Sequence, residues 1–225
     1  MITLAIEQSS KSAGAALLDG ETVLAERSWD QTWHRNQELF EAVPEMLAGA
    51  SLSLSDVEAF AVGLGPGSFS GTRIAVSVVQ AFALPDGKPV FGLSSGEALA
   101  WDLLCETDAK KSVVIGDARR QLVWYAVFGR GDRWPVMEQT WSLQPVEKLV
   151  ESLPDNAVVA GPDWSRIGAG LKAAYSGAAR FIEEDRHPRA RTVGILAARK
   201  IRAGLASDPI EPIYLHPAVF VEPKQ

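Results

Sequence analysis

At 225 residues, 47% apolar and 22% charged, the chain has the composition of a globular protein with a core of ordinary size and no low-complexity tract that would mark disorder. A net charge of −6 and a pI near 5.2 exclude a chain that grips nucleic acid unaided, because phosphate contacts need a concentrated basic footprint. The single cysteine, Cys105, excludes an internal disulfide and a cysteine zinc cluster, and the strand-like ITLAIE after Met1, with neither basic leader nor long apolar run, predicts a cytoplasmic protein with no membrane segment.

ITLAIE, SAGAALLD and ETVLAERSW are short apolar or alternating runs, and Asp19-Gly20 between the second and third predicts a hairpin. Leu39, Phe40, Val43, Met46 and Leu47 recur at one-face spacing and predict a helix over about 36–49, with Pro44 expected to kink it or end it early. VEAFAVGLG reads as a strand buried on both faces, which implies a parallel or mixed sheet. The stretch GLGPGSFSGTR, 63–73, then leads into TRIAVSVVQAFAL, a helix whose Ile74, Val76, Val78, Val79, Phe82 and Leu84 are not confined to one stripe. Such a helix needs cover on more than one side, from its own domain or from another chain.

VFGLSS and EALAWDLL continue the alternation of strand and helix. SVVIGDARRQLVWYAVF, two strand-like runs split by a charged turn, then repeats the opening pattern in type. A boundary near 106–111 follows, giving two α/β domains, 1–107 and 108–225. A strand VMEQTWSL, a short helix from Pro145, a strand AVVAG, a helix from Asp163 and a closing helix through VGILAARKIRAG make up the second, and the proline-rich IEPIYLHPAVF predicts an extended tail across the body. Glu183, Glu184 and Asp185 with Arg186, Arg189 and Arg191 read as an interdomain or surface charge patch. Arg199, Lys200 and Arg202 read as the basic end of a helix, facing water.

Candidates for chemistry are few. GPGSFSGTR lacks the lysine of a P-loop, Gly71 being followed by Thr72 and Arg73, and its glycines miss the dinucleotide-binding spacing. A structural turn and an anion site at a helix N-terminus are equally open readings of Gly65, Pro66, Gly67, Ser68, Phe69, Gly71 and Arg73. His34 has Glu38, not a second histidine, four residues on, and His187 and His216 each precede a proline, so no metal ligand is assigned. Asp117 ends an apolar strand where a catalytic carboxylate could act, but a turn residue paired with Arg119 or Arg120 is preferred. With no nucleophile motif present, no catalytic residue is assigned.

In order and spacing, AIEQSSKSAGAALLDG, LSLSDVEAFAVGLGPGSFSGTRIAVSVVQAFAL, FGLSS, VVIGDARRQLVWYAVF and EPIYLHP resemble the TsaB (YeaZ) family over nearly the whole chain. The most specific part is G-x-G-P-G-S-F-[ST]-G-x-R-I. The resemblance implies two ribonuclease-H-like halves with mixed sheets flanked by helices, as in the actin, sugar-kinase and Hsp70 superfamily. It implies a non-catalytic scaffold subunit required, with TsaD and TsaE, for threonylcarbamoyl transfer to the adenosine next to the anticodon of tRNA, the t6A modification.

The same resemblance implies pairing with TsaD, or with itself as a homodimer, through the first two helices. Leu39, Phe40, Val43 and Leu47 would make contact from one, and Ile74, Val78, Val79 and Phe82 from the other. It implies no cofactor in the isolated chain; ATP or ADP and a metal belong to the complex with TsaD and TsaE, and tRNA is met only through that complex. On this reading the glycine loop is the turn that aims the second helix outward, Gly65, Gly67 and Gly71 allowing the tight backbone and Arg73 opening the helix.

Three departures from the family pattern stand out. Glu7-Gln8-Ser9 replaces Asp-Thr-Ser, which weakens the case for nucleotide hydrolysis; Glu41 stands where a proline is usual, with Pro44 further on; and His216 follows Tyr-Leu where an arginine is frequent. Two other readings are an ATP-binding or ATP-hydrolysing enzyme of the actin-like superfamily and a glycoprotease-like metallopeptidase. The missing histidine pair weighs against the second.

Overall fold

The computed structural model describes residues 1–31 and 37–216; the readings placed on His34 and on the tail beyond His216 lie outside them. The first sheet contains β1 (Ile2–Glu7), β2 (Ser12–Asp19), β3 (Thr22–Asp30), β4 (Ala59–Gly63) and β5 (Val90–Leu93), in the order β3-β2-β1-β4-β5. The hairpin at Asp19-Gly20 pairs β2 with β3, and β1 runs antiparallel to β2 but parallel to β4, so the sheet is mixed. Strand alternation gives it two buried faces. Leu4, Ile6, Leu17 and Phe60 face α1 (Glu38–Gly49) and α2 (Phe69–Ala83), while Ala5, Ala16, Leu18 and Ala61 face α6 (Ala190–Arg202).

The second sheet contains β6 (Lys111–Arg119), β7 (Leu122–Gly129), β8 (Val136–Gln144), β9 (Val158–Gly161) and β10 (Arg180–Asp185), in the order β10-β9-β6-β7-β8. Ile115, Tyr125 and Val159 pack on Leu149 of α4 (Val146–Ser152) and on Trp164 and Leu171 of α5 (Trp164–Ala174). From the other face, Val114, Trp124 and Phe128 pack on Leu99 and Leu103 of α3 (Ser95–Glu106).

A cut at 107/108 separates the strands of the two sheets but not their helices. The segment before it supplies α3 to the second sheet, the segment after it supplies α6 to the first, and α3 and α6 lie against each other between the sheets. An apolar stripe dictates that a helix be covered; it does not say by which sheet. No described helix is long and apolar enough to cross a membrane.

Local chemistry accounts for two corrections along the helices. α1 runs unbroken through Pro44 to Gly49, because Leu39 and Val43 before the proline and Met46 and Leu47 after it are buried in one core that outweighs the missing N–H. α2 opens at Phe69 and not at Arg73, with Ser68 Oγ accepting the Gly71 N–H at 3.1 Å as its cap. Nor is α2 apolar all round in place. Ser70, Arg73, Ser77, Gln80 and Ala81 make an exposed stripe, while Ala75, Val76, Val79 and Ala83 point inward.

Between β6 and β7, Arg119, Arg120 and Gln121 have φ of +64°, +52° and +64°. Arg119 pairs with Leu122, which leaves Arg120-Gln121 as a two-residue turn of a kind that favours Asn-Gly. Arg120→Asn with Gln121→Gly is therefore expected to raise stability by about 1 kcal/mol. Urea unfolding with an unchanged m-value measures it.

Candidate functional site

Because β1 and β4 run parallel side by side, the segments leaving their C-terminal ends, 8–10 and 64–71, meet. The Ser68 N–H donates to Ser9 O at 2.6 Å. A Cβ on Gly67 would lie 2.0 Å from Ser9 O, and one on Gly71 would lie 2.1 Å from Gln8 O, so glycine is required where the loop presses on this turn. Ser94 and Ser95, which follow β5, hold the other side: the Gly65 N–H donates to Ser95 Oγ at 2.9 Å, and Ser94 Oγ donates to Gly65 O at 3.1 Å. The Gly65-Pro66 peptide is cis. The N–H groups of Leu64, Gly65, Ser68 and Gly71 are thus spent on acceptors within the chain, which favours the turn over an anion cradle.

Glu7, at the end of β1, is fully buried. Its Oε1 accepts the Ser9 N–H at 2.6 Å, and its Oε2 sits against Gly63 near Ser95 with no aligned hydrogen bond among the described residues. Burial pushes its pKa up, against hydrogen bonds from Ser9 and Ser95 that pull it down. A folded-state pKa above the ordinary 4.5 means that this carboxyl's contribution is fully present below that value and is lost as pH rises through the folded one. Glu7→Gln is expected to raise the melting temperature by several degrees at about pH 8 and to leave it unchanged at about pH 4, as melts across that range will measure.

An open cleft of about 1020 Å³ lies between the halves, lined by Ser10, Lys11, Gln31 and the glycine loop on one side and by Asp117, Arg119, Trp124, Asp163 and Arg166 on the other. Asp117 Oδ2 pairs with Arg119 at 3.0 Å and with Arg166 at 2.9 Å, and its N–H donates to Asp163 Oδ2 at 3.1 Å. Asp117 is therefore the paired turn residue expected, with Arg166 as a partner the sequence did not suggest. Among the described residues no three His, Cys, Asp or Glu side chains gather to hold a metal. A metal with a polyphosphate would need a free carboxylate here; Glu7 is in the core and the two aspartates are paired, so the residues present do not fit that group.

Phe69 and Arg73 turn outward from the loop. At 59% and 52% exposure, Phe69 and Tyr214 stack with centroids 5.3 Å apart, and the Arg73 guanidinium lies 4.7 Å above the Phe69 ring. The described tail does cross both halves: Ile213 N–H donates to Leu64 O at 2.8 Å, and His216 Nε2 donates to Ala118 O at 2.6 Å. His187 Nδ1 lies 3.1 Å from Ser10 Oγ in a loop.

The charges between α3 and α6 fasten the halves. Arg189 pairs with Asp102 at 2.9 Å and Glu106 at 3.2 Å, Thr192 Oγ1 donates to Asp102 Oδ1 at 2.9 Å, and Arg186 pairs with Glu106. Lys200 does not face water. Its Nζ donates to Glu97 Oε2 at 2.8 Å and lies 2.6 Å from Oε1, with both side chains largely buried. Arg199 pairs with Glu21 at 2.8 Å and covers Trp101, so only Arg202 of this basic group is mostly exposed.

On the outer face, the first two helices expose less than the contact set implied. Leu39, Val43, Leu47, Val78 and Val79 are at most 9% exposed, because the first sheet already covers that side of both helices. Ile74 and Phe82 are half-buried, and Phe40 is 55% exposed. An apolar groove of about 400 Å³ opens between the helices, walled by Phe40, Pro44, Ala48, Leu54 and Phe82. Leu84, just beyond α2, is 80% exposed.

The family model described as TsaD, tRNA N6-adenosine threonylcarbamoyltransferase, matches residues 23–218. The tRNA threonylcarbamoyladenosine biosynthesis protein TsaB of Escherichia coli (strain K12) is 28% identical, over 96% of this chain and 94% of its own. Its Haemophilus influenzae counterpart is also 28% identical, over 81% and 76%. Among solved structures, YeaZ from Pseudomonas aeruginosa aligns with a TM-score of 0.79 at 25% identity, covering 95% of this chain and all of that one. A second Pseudomonas aeruginosa protein, described as similar to peptidase YeaZ, gives 0.83 at 24% identity, covering 96% and 99%. The two mixed sheets with their flanking helices are accordingly two ribonuclease-H-like halves of the actin-like kind. The chain belongs to the TsaD family of tRNA N6-adenosine threonylcarbamoyltransferases, with end-to-end likeness to its TsaB (YeaZ) members.

Proposed function

We propose that the chain is a non-catalytic subunit of the cytoplasmic assembly that makes threonylcarbamoyladenosine in tRNA, binding TsaD and helping to form the place where TsaE docks. The names of its TsaB relatives supply the pathway. The observation that carries the subunit role is the α1–α2 groove, an apolar hollow rimmed by exposed Phe40 and Pro44, which a partner would cover. The internally paired cleft supports the absence of chemistry in this chain. On this reading ATP or ADP and a metal enter only with TsaD and TsaE, and tRNA is met through the complex.

Phe40→Asp with Leu84→Asp tests the role, both side chains being exposed enough for the fold to survive. Capture of TsaD and tRNA modification are expected to fall together by at least about tenfold. Undiminished capture and modification would sink the proposal. Tight binding of ATP with magnesium by the isolated chain, in a calorimetric titration, would instead favour an ATP-using enzyme.

A further inference from the structure

We infer that the α1–α2 groove selects, over a second copy of this chain, a partner that presents apolar side chains flanked by lysine or arginine; this rests on the groove being the TsaD interface. The sequence of α1, ELFEAVPEMLAG, has three glutamates and no basic residue. On its exposed side Glu41 and Glu45 alternate with Phe40, Pro44 and Ala48, so carboxylates border the apolar hollow. The hollow's own lining carries no lysine or arginine.

Little nearby offsets this acidity. Arg27 reaches Glu45 at 3.7 Å, but both side chains are more than half exposed, and such pairs are weak. The exposed stripe of α2 has one cation, Arg73, near its first turn and already over Phe69. A two-fold dimer sets the same patch on both sides of the contact. A second copy therefore brings the carboxylates of α1 either to their own equivalents or to a stripe with Arg73 alone. A basic partner meets the same border with complementary charge, and the net charge of −6 adds to the repulsion between copies.

Calorimetry with TsaD and sedimentation of the chain alone, each at about 50 and 500 mM salt, test this. The wild type is expected to bind TsaD more tightly than itself, and added salt should weaken that binding while strengthening self-association. Glu41→Lys with Glu45→Lys, at exposed positions, should keep its melting temperature, lose at least about tenfold in TsaD affinity at low salt and lose the salt dependence. TsaD affinity indifferent to both reversal and salt would overturn the inference, as would wild-type self-association tighter than TsaD binding. If Phe40→Asp with Leu84→Asp leaves TsaD binding intact, the groove itself is wrong. If no TsaD complex forms at all, the function reading goes first. Self-association then decides the charge argument, which fails if the reversal does not change it.

Discussion

Gly67→Ala is expected to cost on the order of 4 kcal/mol, enough to leave a protein of ordinary stability mostly unfolded. The added Cβ would stand 2.0 Å from Ser9 O and 2.9 Å from Ser9 C, at a residue whose φ is +155°. Both neighbours are backbone and cannot rotate away. Moving them would also break the 2.6 Å bond from Ser68 N–H to Ser9 O, which ties the loop to the end of β1. Gly87→Ala is the control. It shares a positive φ, +61°, but has nothing within 4 Å of the new methyl, so its cost should be about 1 kcal/mol. Urea unfolding of both variants decides the matter, and equal midpoints would show that the loop does not need its close approach.

Lys200→Met should cost about 3–5 kcal/mol at alkaline pH, because it leaves Glu97 buried between α3 and α6 with no counter-charge. The effect has a direction in pH. Burial pushes the Glu97 pKa up from 4.5 while Lys200 pulls it down, so removing Lys200 raises it further. A group whose folded pKa is raised loses its stabilising contribution as pH rises through that value, so the variant should be nearest to wild type in acid and fall behind as pH increases. Adding Glu97→Gln should restore most of the loss. Denaturant unfolding of the single and double variants between about pH 5 and pH 8 measures this, and a deficit independent of pH would show that the pair does not carry the coupling.

The strands and turns were legible where short-range chemistry decides them. Alternation in SAGAALLD and TVLAERSWD, with Asp19-Gly20 between, gave β2 and β3 with their hairpin, and the glycines of GLGPGSFSGTR marked a backbone that must come close to something. What it comes close to was not legible. Gln8, Ser9 and Ser95 are distant in sequence, and the Ser94-Ser95 pair in FGLSS was the available clue.

Sequence patterns also misled where long-range packing decides. β10, RFIEED, hid among acids because Phe181 and Ile182 are its only strongly apolar residues. Lys200 read as a solvated helix end because its partner is about a hundred positions away on another helix. The interface set was overfilled for a related reason: apolar periodicity in α1 and α2 reports burial, and the first sheet claims most of it, leaving Phe40, Pro44 and part of Phe82 at the surface.

The return of α6 to the first sheet bears on how the chain can mature at the ribosome. β1, β2 and β4 emerge early, yet the face built by Ala5, Ala16, Leu18 and Ala61 has no helix until residues 190–202 have been translated. The early half therefore waits, with apolar surface uncovered, through the synthesis of all of the later sheet. Nascent chains arrested after β5 should for this reason be protease-sensitive and held by chaperones, and the two halves should reach protection together, once α6 has cleared the exit tunnel.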